Sequence, residues 1–250
     1  MKIVRFNDHN QPKFGLIKDN HIEILRDEPF SGIKKTGISV MKDRVKLLAP
    51  VMPSKIIAVG LNYKDHATEL GMKLPDNPCL FLKPPSSVIG PNEDILYPAM
   101  AGRVDFEAEL AVVIGRRARS VSAKKAEHYI FGYTCANDVT ARDLQQMDAQ
   151  WTRAKSFDTF CPLGPHIETE LDPDDLEIIS RLNGEVKQNS RTSQMIFSVT
   201  ELVSFISEVM TILPGDIILT GTPIGVGSMQ VSDAVEVEIS GIGILGNRLE

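Results

Sequence analysis

Strand-like segments separated by turn residues, with few helical segments between them, constrain the fold of this chain more than any other feature. The strongest candidates read CLFLK, EAELAVVIG and YIFGYTCA in the middle of the chain, and PGDIILTG and DAVEVEISGIG towards its end. The last of them alternates between apolar and polar residues, as expected of a strand with one buried face. Many strands with few helices predict an α+β protein that is mostly β, rather than a doubly wound sheet.

The chain divides into a short first part and a long second part. Residues 1–50 carry the short alternating runs KIVRF, KFGLI and HIEIL, broken by the turn-like NDHNQP and KDN. They predict a small β-rich N-terminal domain. The stretch 47–60 contains two prolines and is interpreted as a connector into a buried strand, so residues 51–250 form the main domain.

Four segments are predicted to be helical. A short amphipathic helix over residues 63–70 ends at Gly71, which suits a helix C-terminus. SAKKAEHY (122–129) and TARDLQQMDAQ (140–150) have helical composition. SVTELVSFISEVM (198–210) is amphipathic, with Thr200 as the expected N-cap.

Composition excludes several classes of function. The formal net charge is −6 and no basic stretch is interleaved with aromatics, which argues against a nucleic-acid partner. No apolar run approaches the roughly 18 residues that span a bilayer, so no membrane partner is expected. The start lacks the apolar region of a signal peptide, and Cys79, Cys135 and Cys161 form no CxxC pair. We therefore expect a cytoplasmic protein in a reducing compartment.

Three carboxylates beside apolar sequence are the first candidate for chemistry. Glu107 and Glu109 lie two residues apart, so a strand would project both from one face. Two like charges that close repel each other unless a cation lies between them. Asp138, where a strand ends and a helix begins, is the natural third ligand, and an oxygen-only set favours a hard cation. The alternative is that the Glu pair is the solvated face of a half-exposed strand.

Other polar residues have spacings that suit catalysis or substrate binding. His66 and Glu69 lie at i and i+3 of a predicted helix, where a carboxylate raises the basicity of an imidazole. Arg142 and Gln145, also three apart, suit a substrate carboxylate and carbonyl. The alternatives are an ordinary exposed His–Glu pair and, for Arg142, a salt bridge with Asp138 or Asp143.

Two more positions remain open on the residues alone. Lys155 follows Trp151 and Arg153, and a lone lysine is more often a solvated loop residue. Thr222 lies in TGTPIGVG, which lacks the ending of a phosphate-binding loop but offers a hydroxyl and a backbone N–H at a strand end.

The sequence resembles the fumarylacetoacetate hydrolase superfamily over about residues 55–245, in particular its acylpyruvase and hydroxyheptadienedioate isomerase-like branch. Each matching stretch by itself is modest evidence for the family, but the set of stretches in this order is specific to it. They are VGLNYKDHATELG, FLKPPSSVIGP, DFEAELAVVIG, GYTCANDVTARDLQ, RAKSFDTFCPLGP and ILTGTPIGVG.

The resemblance implies a mixed β-roll or β-sandwich fold with a few flanking helices, and a homodimer. It implies Mg²⁺ or Mn²⁺ (Ca²⁺ in some crystals) held by Glu107, Glu109 and Asp138, and no organic cofactor. It also places His66 and Glu69 on a lid helix as a base and its partner. Lys155 would lie in the pocket and Thr222 would contact the ligand, while Lys83 falls in a matching stretch without a role.

Members of this family act on small 2-keto or dicarbonyl acids. The His–Glu pair favours hydrolysis of a C–C bond in an acylpyruvate- or fumarylpyruvate-type acid as the function. The alternative is an isomerase of 2-hydroxyhepta-2,4-diene-1,7-dioate, or a decarboxylase of an oxaloacetate-type 2-keto acid, in aromatic catabolism. A third hypothesis is a metal-binding protein that has lost turnover.

Overall fold

A computed structural model describes all 250 residues, and its mostly β content confirms the predicted class. The strands are β1 (Lys2–Asp8), β2 (Gln11–Lys18), β3 (His21–Leu25), β4 (Lys35–Met41), β5 (Lys46–Leu48), β6 (Ile56–Gly60), β7 (Cys79–Lys83), β8 (Val88–Ile89), β9 (Asp94–Ile95), β10 (Val104–Phe106), β11 (Ala108–Ile114), β12 (Ile130–Asn137), β13 (Thr140–Ala141), β14 (Cys161–Glu168), β15 (Glu177–Leu182), β16 (Glu185–Arg191), β17 (Ile217–Leu219), β18 (Gly227–Met229), β19 (Ala234–Ile239) and β20 (Gly243–Leu249). The α-helices are short: α1 (Lys64–Glu69), α2 (Ala123–Ala126), α3 (Arg142–Met147), α4 (Thr152–Lys155) and α5 (Val199–Val209). Five 3₁₀ turns complete the elements, at Pro29–Ser31, Lys42–Arg44, Pro85–Ser87, Glu127–Tyr129 and Thr192–Gln194.

The strands form three sheets. The large sheet runs β4-β3-β2-β1-β14-β12-β11-β17-β6-β7, with β5 beside β1 and β8 beside β14. The smaller sheets run β13-β10-β18 and β16-β15-β19-β20-β9. Most neighbouring strands are antiparallel, whereas β6 with β17, β8 with β14 and β9 with β20 are parallel. The large sheet and the five-stranded sheet are therefore mixed, as predicted, whereas the three-stranded sheet is antiparallel.

The N-terminal strands continue the large sheet. β1 pairs with β14 through Lys2 opposite Glu168 and Ile3 opposite Ile167. The terminal amino group of Met1 donates a hydrogen bond to the Glu168 carboxylate at 2.7 Å. A domain boundary at residue 50 stays a prediction.

The strand β11 is an interior strand of the large sheet, between β12 and β17, and all of its residues are buried. Leu110, Val112 and Ile114 face a core that α5 covers, while Ala111 and Val113 face a second core on the other side. A strand buried on both faces reads as a nearly continuous apolar run. Glu109 is the one charged residue in this strand, and it shares the side of Ala111 and Val113.

The predicted strand EAELAVVIG is interrupted at Glu107. β10 ends at Phe106 and pairs with β13 and β18, whereas β11 begins at Ala108 and pairs with β12 and β17. The chain therefore passes from one sheet to another at Glu107, and this change of partners holds the two glutamates at a junction of sheets.

The predicted helices lie where expected, but the N-cap of one was predicted wrongly and another is shorter than predicted. α1 ends before Gly71, whose φ of +62° is easily adopted by glycine. The N-cap of α5 is Ser198, which forms a capping box with Glu201, so the prediction of Thr200 was wrong. None of the α-helices has both the length and the apolar character of a transmembrane segment.

The helix predicted over residues 140–150 is much shorter than expected. Thr140 and Ala141 are extended because they pair with β10, and α3 begins only at Arg142. Asp148 returns to an extended conformation, so α3 and α4 are separate turns. The pairing of β13 with β10 outweighs the local helical preference.

His166 on β14 makes the stability of this fold depend on pH. Its side chain is buried, and its Nε2 has no hydrogen-bond partner. Burial and the positive charge of Lys2 lower the pKa of His166 from 6.5 to about 4, although the negative charge of Glu168 acts in the opposite direction. Lys42 and the terminal amino group also disfavour the charged form. The unfolded chain binds this proton more readily, so stability is full above about pH 6.5 and falls as the pH drops towards about 4.

When the pH is lowered from about 7.5 to about 5, His166 is expected to reduce the unfolding free energy of the protein by about 2 kcal/mol. Urea unfolding at the two pH values measures the loss, which His166→Leu should remove. His21→Gln, on an exposed position of β3, is the control and should retain it. An unchanged pH dependence in His166→Leu would contradict the assignment.

Candidate metal centre

Glu107, Glu109 and Asp138 meet at the junction between sheets. Their nearest ligand oxygens all lie within 4.8 Å of one another, and the three residues are 6%, 2% and 0% exposed. Asp138 directly follows β12, and its N–H donates to the Glu107 carbonyl at 2.9 Å. The alternative of a solvated strand face is therefore wrong for this pair of glutamates.

Two buried lysines neutralise Asp138. The Lys155 ammonium donates to Asp138 Oδ2 at 2.6 Å and to Glu107 Oε2 at 2.8 Å, and Lys83 donates to Asp138 Oδ1 at 2.5 Å. Both lysines are nearly inaccessible to solvent, so the solvated-loop interpretation of Lys155 is wrong. Burial disfavours the charged form of Lys155, but Asp138 and Glu107 outweigh it and raise its pKa.

Arg142 is held by two acidic residues, one on β10 and one directly after it. Its Nη2 donates to Glu107 Oε1 at 2.5 Å and its Nε to Asp105 Oδ2 at 2.8 Å. The predicted alternative partners, Asp138 and Asp143, are wrong, since Asp143 instead accepts backbone N–H groups. Burial opposes ionisation of Glu107, yet the charges of Lys155 and Arg142 prevail and hold its pKa at about 2.

Glu109 is the carboxylate without a cation. Its Oε2 accepts a hydrogen bond from the Gly221 N–H at 2.7 Å, and it forms no ion pair of its own. Burial and the charges of Asp138 and Glu107 together raise its pKa well above the ordinary value. A surplus buried carboxylate in an oxygen-only donor set fits a hard divalent cation such as Mg²⁺ or Mn²⁺.

A histidine on α1 faces the carboxylates. His66 Nδ1 lies 2.8 Å from Glu69 Oε2; the imidazole side chain is 12% exposed, whereas that of Glu69 is 32% exposed. Two contacts tie α1 to its surroundings: the Ser190 hydroxyl donates to Asp65, and the Gly225 N–H donates to Glu69 Oε1 at 3.3 Å. Because Glu69 holds Nδ1, the other nitrogen, Nε2, is free to exchange a proton.

These groups surround one cavity of about 270 Å³. Every predicted site residue lines it except Glu69, which lies behind His66. Gln145 accepts a hydrogen bond from Arg142 Nη1 at 2.5 Å, and Thr222 donates one to the Ala108 carbonyl at 2.9 Å. The apolar part of the wall consists of Val59, Leu61, Leu70, Met72, Phe81 and Trp151.

Three residues of the site were missed or left without a role by the sequence analysis. Lys83 holds Asp138, and Asp105, which is inaccessible to solvent, holds Arg142. Gln188 is also fully buried: its Oε1 accepts from the Ala108 N–H at 3.0 Å, and its Nε2 donates to Thr222 Oγ1 at 2.8 Å and the Pro223 carbonyl at 2.9 Å. No local pattern marks Gln188, because it lies on an otherwise largely exposed polar strand.

Gln188→Leu is expected to weaken both the fold and the carboxylate pair. It leaves the Ala108 N–H, which lies between the two glutamates, and the Pro223 carbonyl without their partner. We expect about 2–4 kcal/mol less unfolding free energy and about tenfold weaker Mg²⁺ binding, measured by urea unfolding and calorimetry. Asn189→Leu, exposed on the same strand, is the control, and a Gln188→Leu protein as stable as this control would refute the argument.

Two family models match this chain, one in each of its two parts. The family model described as "Fumarylacetoacetate (FAA) hydrolase C-terminal" matches residues 55–250, and one described as "Rv2993c-like, N-terminal" matches residues 1–50. A protein of Rattus norvegicus named "Oxaloacetate tautomerase Fahd2a, mitochondrial" is 43% identical over 222 residues, covering 84% of this chain and 71% of its own.

Two solved structures share the whole fold. The 5-carboxymethyl-2-hydroxymuconate delta-isomerase of Mycobacterium smegmatis is 45% identical, with a TM-score of 0.95 over 100% of this chain and 99% of its own. The 2-hydroxyhepta-2,4-diene-1,7-dioate isomerase of Mycobacterium marinum is 46% identical, with a TM-score of 0.93 over 100% and 98%. The family model over residues 55–250 and these relatives, each more than 40% identical over most of both chains, show that this chain belongs to the fumarylacetoacetate hydrolase family.

Proposed function

We propose that this protein is a divalent-metal-dependent isomerase that interconverts the enol and keto forms of a small 2-oxo acid of the oxaloacetate type. The observation that carries the proposal is His66, oriented by Glu69, beside a buried carboxylate centre in one small cavity. The relatives reported above are named as a tautomerase and two isomerases. These names favour isomerisation over the C–C hydrolysis that the sequence analysis preferred.

Glu107, Glu109 and Asp138 would hold Mg²⁺ or Mn²⁺. When bound, the ion supplies positive charge to the paired oxygens of a 2-oxo carboxylate, which favours the electron-rich form of the substrate. Lys83 and Lys155 keep Asp138 in place, while Lys155 and Arg142 do the same for Glu107. Cations therefore orient the carboxylates of Asp138 and Glu107, whereas only the Gly221 N–H holds that of Glu109.

The chain's own residues supply the proton transfer and bind the substrate. Enol–keto isomerisation moves one proton between the oxygen on C2 and the carbon C3, so it consumes no water or co-reactant. His66 Nε2 would carry this proton, because Glu69 occupies Nδ1. The Arg142–Gln145 pair and Thr222, which also line the cavity, would bind the substrate's carboxylate and carbonyl.

The test is an assay of oxaloacetate enol decay by ultraviolet absorbance, with protein first stripped of metal by a chelator. We expect little acceleration over the uncatalysed reaction without metal and a rate restored by Mg²⁺ or Mn²⁺. Product analysis by NMR should show keto acid with the carbon chain intact. Binding of Mg²⁺ without turnover of any acid would instead favour a protein that has lost its activity.

C–C hydrolysis is the second candidate, since the same His66–Glu69 pair could activate water. Release of pyruvate from an acylpyruvate, at a rate above that of enol decay, would support it. Release of CO₂ from oxaloacetate would support decarboxylation.

Assembly as a homodimer remains a prediction, which light scattering coupled to gel filtration checks.

A further inference from the structure

We infer that Asn62 is a positioning residue for the proposed isomerisation, although it does not line the cavity. Its side chain ties the start of α1, which carries His66, to the segment after β17 that holds Glu109. The inference rests on the proposed function for the role of His66, but the attachment itself can be measured without turnover.

Asn62 joins three segments of the chain through its buried side chain. It lies between β6 and α1 and is inaccessible to solvent. Its Nδ2 donates to the Thr220 carbonyl at 2.8 Å and to the Phe197 carbonyl at 3.0 Å, so both amide hydrogens are used. Its Oδ1 accepts the Phe197 N–H at 2.8 Å, and its backbone carbonyl accepts the Ile196 N–H at 2.8 Å. The turn before α1 is therefore fixed to the residues before α5 and to the residue after β17.

The attachment through Thr220 reaches the carboxylate centre. Thr220 is itself fixed to β11, because its N–H and its hydroxyl both donate to the Leu110 carbonyl, at 3.2 Å and 2.9 Å. The next residue, Gly221, donates its N–H to Glu109 Oε2 at 2.7 Å. Gly221 has a φ of +92°, and a Cβ atom there would come within 2.8 Å of Asn62 Cβ. Asn62 therefore packs directly against the turn whose backbone holds Glu109.

The attachment also fixes the start of α1. Tyr63 follows Asn62, and its carbonyl accepts the Ala67 N–H at 2.9 Å in the first turn of the helix. Leu61, on the other side of Asn62, lines the cavity and has a φ of +51°, in the left-handed region that a leucine rarely adopts. Such a backbone conformation persists only where neighbouring contacts hold it. Loss of the Asn62 side chain should therefore let this turn relax and move His66 relative to the carboxylates.

The substrate-binding and metal-binding groups of the cavity have separate supports. Arg142 and Gln145 lie on α3, which none of the Asn62 hydrogen bonds reaches. Thr220 keeps both of its hydrogen bonds to Leu110 when the Asn62 amide is removed. We therefore expect Asn62→Ala to displace the base, while the metal ligands and the substrate contacts stay in place.

The test compares Asn62→Ala with Asn247→Ala in the Mg²⁺-loaded protein. Asn247 is also buried, and its Nδ2 also donates to two backbone carbonyls, those of Gly90 at 2.9 Å and Glu93 at 2.8 Å. None of these three residues lines the cavity. Both variants should lower the urea midpoint of unfolding. Only Asn62→Ala should lower kcat for enol–keto isomerisation, by about 10- to 100-fold, while KM and the Mg²⁺ dissociation constant change by less than about threefold.

Hydrogen exchange measures the attachment without turnover. The Ala67 and Leu70 N–H groups donate to the Tyr63 and His66 carbonyls within α1. Their exchange should be at least about tenfold faster in Asn62→Ala than in the wild-type protein, because the start of the helix opens locally. Asn247→Ala should leave both exchange rates unchanged. If Asn62→Ala does not fold, Asn62→Ser, whose hydroxyl can keep one of the side-chain hydrogen bonds, should show the same changes at reduced size.

The outcomes separate this inference from the proposed function. Unchanged kcat or unchanged exchange of α1 in a folded Asn62 variant would overturn the inference, as would an equal loss of kcat in Asn247→Ala. If the wild-type protein lacks enol–keto activity, the proposed isomerase is defeated, but the exchange rates still decide whether Asn62 positions α1. Enol–keto activity that depends on His66 but not on Asn62 would retain the proposed function and defeat the inference.

Discussion

Glu109→Gln should abolish tight binding of Mg²⁺ and yet make the metal-free protein more stable. Glu109 is a buried carboxylate that faces Asp138 and Glu107 with one backbone N–H as its partner. Removing its charge relieves repulsion, so we expect the unfolding free energy without metal to rise by about 1–3 kcal/mol. Loss of a ligand should weaken Mg²⁺ binding by about 100-fold or more and remove metal-dependent activity.

Glu107→Gln is the matched control, because it removes the same charge from a different environment. Glu107 accepts hydrogen bonds from both Lys155 and Arg142, so the variant leaves these buried cations with one anion each, Asp138 and Asp105. We therefore expect Mg²⁺ binding to be lost again, but the unfolding free energy without metal to fall by about 1–3 kcal/mol. Calorimetry and urea unfolding in the presence of chelator measure both quantities.

The contrast between the two variants is what tests the site. If Glu109→Gln binds Mg²⁺ as the wild-type protein does, the carboxylates are not a metal centre. If both variants destabilise the metal-free protein equally, Glu109 does not carry the surplus charge assigned to it.

His66→Asn should lower kcat for enol–keto isomerisation by about 10²- to 10⁴-fold, the usual contribution of a general acid–base. The affinity for Mg²⁺ should change less than threefold, which corresponds to about RT or less in binding free energy. The reason is that His66 contacts Glu69 rather than the carboxylate centre. Glu69→Gln keeps a hydrogen-bonding partner for Nδ1 but removes its charge, so we expect a smaller loss of about tenfold.

Ser190→Ala separates the chemistry of His66 from the attachment of α1. It removes the hydroxyl that donates a hydrogen bond to Asp65 but leaves the His66–Glu69 pair intact. We expect an effect much smaller than that of His66→Asn. Wild-type kcat in His66→Asn would exclude this histidine as the proton carrier, and an equal loss in Ser190→Ala would mean that the position of α1, rather than the imidazole, was being measured.

Local patterns were sufficient to predict most of the elements, whereas the candidate site residues were identified from local spacing together with the family resemblance. The apolar run of β11, the alternation of β19 and the glycine after α1 each reflect the geometry of a few neighbouring residues. The i and i+2 spacing of Glu107 and Glu109 predicts a shared direction for the same reason, and both face the cavity. Local capping also places the start of α5, although the cap is Ser198 rather than Thr200.

Only the tertiary structure decided which charges meet. Lys83, Asp105 and Gln188 lie on three different strands, yet they hold Asp138, Arg142 and the backbone between the two glutamates. Their partners are 55, 37 and 80 residues away in the chain. The break at Glu107 and the short helix α3 likewise arise because β10 pairs with strands outside the large sheet. Residue type and spacing act over one strand or one turn of helix, whereas pairing between sheets depends on the path of the whole chain, and that path leaves Glu109 without a cation.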